Sequence, residues 1–161
     1  MIVVYKINYT MALSKKSAGA VVFYLKNEEP IYLLLRNTLK KTFWAFPKGQ
    51  IEKNESEEQA ATREVKEETN LDIKIIPGFR QEQNWYYQLE GQTIKKNAVF
   101  FIAEVSEQEM RNTKISDEHE DFSWFNYEDA KKVSNIKSNR EMLKLANDFV
   151  IEYKKQKKLF S

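Results

Sequence analysis

One helix has a clear start signal in its sequence and constrains the fold of this 161-residue chain more than any other segment. Ser56 precedes Gln59 by three positions, which is the spacing of a capping box, and the acidic Glu57 and Glu58 suit the positive end of the helix dipole. The pattern predicts a helix that continues to about Thr69. Strands are predicted before and after this helix in the sequence, so we expect it to connect two parts of one sheet.

The rest of the chain alternates between short strands and helices. Strands are predicted at 18–25, 31–36, 72–76, 79–87, 96–105 and 122–125, with a hairpin turn at 89–93. Residues 41–51 are predicted to form an aromatic-rich loop. Asn126 is placed to cap a short helix over 127–133, and an amphipathic helix from Ser138 onward closes the chain.

These elements predict an α+β protein in which a mixed β-sheet lies between α-helices. The length suits one domain over residues 1–161, with a core at about 15–150. Residues 1–10 alternate weakly and are expected to add an edge strand, but function is not expected to depend on them. The lysine-rich run at 154–158 is predicted to be exposed to solvent.

The composition narrows the classes of function. Lys and Arg total 26 against 24 Asp and Glu, a net charge of +2, so the overall charge favours neither nucleic acid nor a membrane surface as a partner. The absence of cysteine excludes disulfides and thiolate metal sites. No apolar run reaches the length of a membrane span, and the N-terminus lacks a signal-peptide pattern. A cytoplasmic protein with no membrane partner is expected.

Three glutamates, Glu64, Glu67 and Glu68, fall within an arc about 100° wide on the predicted helix. Either the helix presents a solvated charged face, or the carboxylates converge on a bound cation. Glu67 has Arg63 four residues earlier, whereas Glu64 and Glu68 have no Lys or Arg at that spacing, which favours the cation. Carboxylate oxygens without cysteine or clustered histidine favour Mg²⁺ or Mn²⁺ over Zn²⁺.

The glutamates belong to a longer motif. Gly49, Glu55 and the run REVKEETNL at 63–71 follow the pattern G-x5-E-x7-R-E-U-x-E-E-x-G-U, in which U is an aliphatic residue. Residues 49–71 therefore resemble the Nudix box at every fixed position except Asn70, where the family has glycine. Asparagine is the next most tolerant residue at the left-handed end of a helix, so the site is expected to be intact.

The resemblance implies the Nudix fold and assigns roles to the motif. The implied metal ligands are Glu64, Glu67, Glu68 and the main-chain carbonyl of Gly49. Arg63, also expected to support catalysis, would pair with Glu55 and orient the helix. The alternative for Arg63 is an ordinary surface salt bridge.

Outside the box, the chain resembles one Nudix subfamily, the asymmetrical bis(5′-nucleosyl)-tetraphosphatases, over roughly residues 17–150. The segments that carry this likeness are 43–55, 78–87, 96–105 and 116–125. Its most specific parts are W-x-x-P-K-G at 44–49 and S-x-E-H at 116–119, which is followed by aromatic-x-W. The likeness implies a substrate with two nucleosides joined by a polyphosphate.

This subfamily likeness implies further site residues. Lys48 and Lys96 would contact phosphate oxygens. Glu118 would be either an additional metal ligand or the general base for the attacking water, and the sequence does not choose between Glu64 and Glu118 as the base. His119, the single histidine of the chain, is expected to be a hydrogen-bonding neighbour of the phosphates.

Aromatic residues beside the predicted hairpin turn are candidates for binding the nucleobase. Trp85 and Tyr87 share one face of a strand and Tyr86 lies on the other, because successive side chains alternate. A ring on this strand either stacks on adenine or packs into the core, and the sequence leaves both open.

The predicted function is Mg²⁺-dependent hydrolysis of a small-molecule dinucleoside tetraphosphate to ATP and AMP by an activated water. The enzymatic alternatives are Nudix pyrophosphohydrolases acting on the 5′-triphosphate end of RNA, on a nucleoside triphosphate or on a nucleotide sugar. A non-catalytic nucleotide-binding Nudix domain is disfavoured because the box glutamates are retained. Base preference, polyphosphate length and oligomeric state are not determined by the sequence.

Overall fold

Strands and helices alternate in the part of the chain that the computed structural model describes, residues 15–38 and 41–161. The strands are β1 (Lys15–Lys26), β2 (Glu29–Thr38), β3 (Thr42–Ala45), β4 (Lys48–Gln50), β5 (Gln81–Leu89), β6 (Gln92–Glu104) and β7 (Asp121–Asn126). The helices are α1 (Glu57–Thr69), α2 (Glu107–Met110), α3 (Tyr127–Val133) and α4 (Lys137–Leu159). The segment 1–10, predicted as an edge strand, lies outside the described residues.

The described strands form one mixed sheet in the order β3-β2-β1-β6-β5, with β4 also paired to β1 and β7 to β2. Strands β1 and β6 run parallel, and the other pairs are antiparallel. Helix α1 lies in the chain between β4 and β5. It forms part of the long connection from β1 to its parallel neighbour β6, because parallel strands cannot be joined by a tight turn.

Successive side chains of β1 are buried on opposite faces of the sheet. Val21 and Phe23 point into a core shared with α4, whereas Ala20 and Val22 point into a core shared with α1. Strands that are buried on both faces are continuously apolar, as this one is. The prediction of an α+β fold with a mixed sheet between helices is confirmed.

The β5–β6 hairpin turns at Glu90 and Gly91, within the predicted turn at 89–93. Both residues have positive φ, 50° and 76°. Two-residue hairpin loops favour this left-handed pair, because its twist matches that of the flanking strands.

Two predicted segments differ from the structure. The predicted loop at 41–51 contains β3 and β4, because the chain after β2 turns back to pair with β2 and then with β1. The predicted strand at 72–76 is reduced to a single antiparallel bridge between Ile75 and Ala103. Pro77 follows within two residues and has no amide hydrogen to extend the ladder.

The lysine-rich end of α4 is exposed, as predicted, but it is also anchored. The Lys157 ammonium lies 2.8 Å from the Glu104 carboxylate, and the Lys158 ammonium lies 2.8 Å from that of Glu28. Both lysine side chains remain more than half exposed, so these pairs contribute little stability. Among the described residues, no helix combines the length and the apolar character needed to cross a membrane.

Candidate active site

Helix α1 begins and ends as its sequence predicts. The Ser56 hydroxyl accepts from the Gln59 amide at 3.1 Å, and the Gln59 side chain accepts from the Ser56 amide at 2.9 Å, which completes the capping box. Asn70 adopts the left-handed conformation with φ 62°. Its side-chain amide also donates to the Asn112 carbonyl at 3.2 Å. Asparagine therefore adopts the left-handed conformation at the position where the family pattern has glycine.

Replacing Asn70 by glycine should change activity little. Glycine adopts positive φ more easily, but it removes the bond to Asn112 and increases the freedom of the unfolded chain. These effects oppose one another, so the free energy of unfolding should change by less than about 1 kcal/mol in either direction. Chemical denaturation and steady-state kinetics measure both quantities. A large loss of activity would give Asn70 a direct role at the site.

Arg63 is the centre of an ion-pair network. Its guanidinium binds Glu55 through two bonds, Nε to Oε1 at 2.6 Å and Nη2 to Oε2 at 2.9 Å, and Nη2 also donates to the Gln50 carbonyl at 2.9 Å. Nη1 lies 2.8 Å from Glu64 Oε1 and 3.2 Å from Glu67 Oε2. The arginine thus ties the loop before α1 to the glutamate face of the helix. Sequence spacing missed the bond to Glu64, because adjacent residues on a helix do not normally face each other.

The Arg63–Glu55 pair should make the free energy of unfolding depend on pH. Hydrogen bonding to Arg63 lowers the pKa of Glu55 from its ordinary value of 4.5 to about 2. A carboxylate whose pKa is lowered by folding stabilises the protein above its unfolded pKa, and that stabilisation is lost as the pH falls. The stability advantage of the wild type over Glu55→Gln should therefore be full at neutral pH and decline between about pH 4.5 and 2. Denaturation of both proteins across that range tests this. An advantage independent of pH would contradict it.

Gly49 leaves space for the carboxylate of Glu64. A β-carbon at Gly49 would overlap the carboxylate carbon and both of its oxygens. The φ of this glycine is not in the left-handed region, so close approach rather than backbone conformation requires it. The Gly49 main chain and the Glu64 carboxylate therefore lie in direct contact.

Gly19 is a second glycine that shapes this region, and sequence reasoning overlooked it. It pairs with Lys48 across the β1–β4 ladder, and a β-carbon there would overlap the Pro47 carbonyl and Lys48. A glycine inside a predicted strand is the available signal, because such glycines often mark close approach of another backbone.

Glu68 is the most buried of the three box glutamates. Its side chain is 7% exposed, against 12% for Glu64 and 59% for Glu67. One carboxylate oxygen accepts from the Lys48 amide at 3.1 Å. The main-chain carbonyl of Glu68 accepts from the Ser116 amide at 3.1 Å, which joins the end of α1 to the loop before β7.

That loop brings Glu118 and His119 to Glu68. One ligand-type atom from each of these residues lies within 4.8 Å of the others. His119 Nε2 is 3.4 Å from Glu68 Oε1, and His119 Nδ1 is 2.6 Å from Asn37 Oδ1. Glu118 is exposed, whereas the His119 side chain is 10% exposed. The sequence predicted His119 only as a neighbour of the phosphates, but the structure groups it with Glu68 and Glu118 in what we call the acidic cluster.

Seven predicted site residues border one cleft of about 310 Å³. They are Lys48, Gly49, Arg63, Glu64, Glu67, Glu68 and Glu118. Gln50, Glu52 and Ser116 complete the lining. The cleft is therefore predominantly acidic, with Lys48 and Arg63 as its basic residues.

The other three predicted residues lie on the β5–β6 hairpin. The Lys48 ammonium is 5.5 Å from the centre of the Trp85 ring, and the Lys96 ammonium is 5.1 Å from that of Tyr87. Trp85 also packs against the core shared with α4, so it is both a core residue and the neighbour of Lys48. Tyr86 is 64% exposed on the opposite face, as the alternation predicts.

Burial shifts the two principal charged groups of the cleft toward their neutral forms. It raises the pKa of Glu64, and the hydrogen bond from Arg63 opposes this shift. Burial also lowers the pKa of Lys48, and the charge of Lys96 adds to that shift while Glu68 and Glu64 oppose it. A bound cation would favour the ionised carboxylate, and a bound phosphate would favour the ammonium.

The donor set suits a hard divalent cation. Glutamate side chains border the cleft together with the main chain of Gly49, which has no side chain of its own. Among the described residues, the group of Glu68, Glu118 and His119 has the proximity that one ion requires. The acidic cluster can therefore hold a divalent metal ion.

The NUDIX domain model matches residues 14–146, and the mixed sheet between helices, with an acidic helix after the short strand β4, agrees with it. The chain therefore belongs to the Nudix family of hydrolases.

Individual proteins of known sequence or structure show more specific similarity to this chain. The chain is 30% identical to the pig asymmetrical bis(5′-nucleosyl)-tetraphosphatase over 147 residues, covering 86% of this chain and 97% of that protein. The crystal structure of a Caenorhabditis elegans Ap4A hydrolase binary complex matches with a TM-score of 0.74 and 26% identity, covering 86% of this chain and 98% of the other. The mRNA-decapping enzyme subunit 2 of Saccharomyces cerevisiae is 32% identical over 124 residues, but these cover 12% of that protein.

Proposed function

We propose that this Nudix hydrolase cleaves dinucleoside tetraphosphates asymmetrically, so that diadenosine tetraphosphate and water give ATP and AMP. The observation that carries the proposal is similarity to asymmetrical tetraphosphatases over nearly their whole length, with the Nudix box glutamates retained. The acidic cleft beside Lys48 suits a polyphosphate, because bound cations and the ammonium can neutralise its charge.

The cation in this proposal is Mg²⁺ or Mn²⁺. Its ligands are drawn from Glu64, Glu67, Glu68, Glu118 and the Gly49 carbonyl. When bound, the ion neutralises phosphate charge and makes a water molecule more acidic. Oxygen donors favour these hard cations, and the chain has no cysteine.

The remaining residues position the substrate and the helix. Lys48 and Lys96 contact phosphate oxygens, and Trp85 or Tyr87 stacks on the nucleobase next to them. Support for this arrangement comes from the approach of each ammonium to one of these rings. Arg63 holds Glu64 in place and is itself held by Glu55. The base that takes the proton from the attacking water is Glu64 or Glu118.

RNA 5′ ends are the second candidate substrate. The similarity to the yeast decapping subunit favours them, although it involves a small part of that protein. The net charge of +2 offers little attraction for a long polyanion. We therefore place the dinucleoside polyphosphate first.

Product analysis tests the proposed reaction. Diadenosine tetraphosphate should yield ATP and AMP, and the pentaphosphate should yield ATP and ADP, because a fixed distance from the base site to the attacked phosphorus keeps one product constant. Hydrolysis in ¹⁸O-water should label one product only. Chromatography and mass spectrometry with Mg²⁺, with Mn²⁺ and with a chelator make the measurement.

The same experiment includes capped and 5′-triphosphorylated RNA as competing substrates. A higher kcat/KM for RNA would replace the dinucleotide assignment, and cleavage of the tetraphosphate into two ADP molecules would refute the asymmetric reaction. Activity unchanged by the chelator would refute the requirement for a cation.

A further inference from the structure

Asn37 holds His119 in one orientation. The Asn37 side-chain nitrogen donates to the Leu35 carbonyl at 3.2 Å, so the side-chain oxygen is the atom that faces the imidazole. That oxygen lies 2.6 Å from His119 Nδ1 and can only accept a hydrogen bond. Nδ1 therefore carries a proton. In the neutral ring, Nε2 then presents a lone pair rather than an N–H group.

The other ring nitrogen of His119, Nε2, lies beside a carboxylate. Nε2 lies 3.4 Å from Glu68 Oε1, which is longer than the roughly 2.7–2.9 Å of a charge-assisted hydrogen bond. Nε2 is also buried without a hydrogen-bond partner among the described residues. Two buried acceptors facing each other repel unless a positive group lies between them.

The loop that carries His119 is fixed at both ends, which fits a preformed site. The Ser116 amide donates to the Glu68 carbonyl at 3.1 Å, and the Glu120 amide donates to the Arg36 carbonyl at 3.1 Å. The loop that carries the imidazole is therefore anchored to both α1 and β2. A ligand held by a second residue that fixes its tautomer is a common arrangement at metal sites.

From these contacts we propose that His119 Nε2 is a nitrogen ligand of a divalent cation shared with Glu68 and Glu118, and that Asn37 is the positioning residue that presents it. The proposal rests on the cation of the proposed function and adds to it a residue type and a selectivity. Mg²⁺ takes oxygen ligands, whereas imidazole suits transition metals. This position should therefore prefer Mn²⁺ or Zn²⁺ to Mg²⁺.

The single histidine makes the proposal directly measurable in a tag-free protein. Long-range ¹H–¹⁵N correlation spectra of the metal-free wild type should show a protonated Nδ1 and an unprotonated Nε2. Adding diamagnetic Zn²⁺ should shift Nε2 selectively. In the Mn²⁺-loaded protein, electron spin echo spectra should show coupling to an imidazole nitrogen, which can only come from His119.

Variants separate ligation from structural support. His119→Gln and Asn37→Ala should each weaken Mn²⁺ binding about 10- to 100-fold, and Mg²⁺ binding less. Asn37→Asp keeps an acceptor for Nδ1 and should restore the wild-type tautomer. Asn84 is an exposed asparagine of β5, and Asn84→Ala is the matched control. This variant should change neither the Mn²⁺ affinity nor the tautomer of His119.

Three results would overturn the proposal. They are a proton on Nε2 in the metal-free wild type, the absence of nitrogen coupling with Mn²⁺ bound, and unchanged Mn²⁺ affinity in His119→Gln. None of these measurements depends on turnover. If these measurements contradicted the role of His119 while the protein still hydrolysed the dinucleotide, the metal-ligand role of His119 would be refuted and the proposed reaction would stand.

Discussion

Glu64→Gln and Glu68→Gln should each lower kcat by about 10³-fold or more while the protein remains folded. Each change removes one negative charge that faces the cleft and keeps the shape of the side chain. Both side chains are largely buried at the edge of the cleft. Steady-state kinetics at saturating Mg²⁺ measure the loss. Wild-type turnover in either variant would refute the proposed cation site.

The Glu64 variant should also be more stable than the wild type when metal is absent. Burial raises the pKa of Glu64, so folding favours its protonated form. A raised pKa adds stability below the unfolded value of about 4.5, and this contribution is lost as the pH rises. Removing the charge should therefore raise the Tm of the metal-free protein at neutral pH and have little effect at acidic pH. Added Mg²⁺ should stabilise the wild type and not the variant.

Glu58→Gln is the matched control for these variants. Glu58 lies on the same helix but is exposed and does not border the acidic cleft. Its replacement should leave kcat and the response to Mg²⁺ unchanged. Comparison with Glu118→Gln then distinguishes the base from a ligand. The variant that lacks the base should lose the acidic limb of the kcat profile, whereas loss of a ligand should mainly weaken metal binding.

Gly49→Ala should lower kcat about 10²-fold or more, because the new β-carbon would occupy the position of the Glu64 carboxylate. The carboxylate must then move by an ångström or more, and displacement on that scale disrupts a positioned catalytic group. Calorimetric Mg²⁺ titration should show weaker binding, and circular dichroism should show an intact fold.

Gly91→Ala provides the comparison for Gly49→Ala. Gly91 has φ +76°, and a β-carbon there meets no other described atom within 4 Å. Alanine at this turn should cost about 1–2 kcal/mol of stability through backbone strain and leave Mg²⁺ binding unchanged. The contrary result is that Gly49→Ala behaves like Gly91→Ala, with lower stability but unchanged activity. That result would show that the contact between Gly49 and Glu64 is not needed for catalysis.

The sequence by itself determined the elements that depend on neighbouring residues. The capping box at Ser56 and the left-handed Asn70 delimit α1, and both signals lie within a few residues of the backbone groups that they satisfy. The spacing of the box glutamates follows from helix geometry alone. The turn at Glu90 and Gly91 likewise depends on local backbone preference. The glutamate face of the cleft was therefore predictable without any tertiary contact.

Tertiary structure decided how that helix meets the rest of the chain. The contact of Gly49 with Glu64, the pairing of Gly19 with Lys48 and the approach of His119 to Glu68 join distant residues. No local rule specifies such distances. Even the bond from Arg63 to the adjacent Glu64 depends on the preceding loop, since Glu55 and the Gln50 carbonyl hold the guanidinium in place. Local interactions set the spacing of the carboxylates, whereas packing of the loops against α1 built the cleft around them.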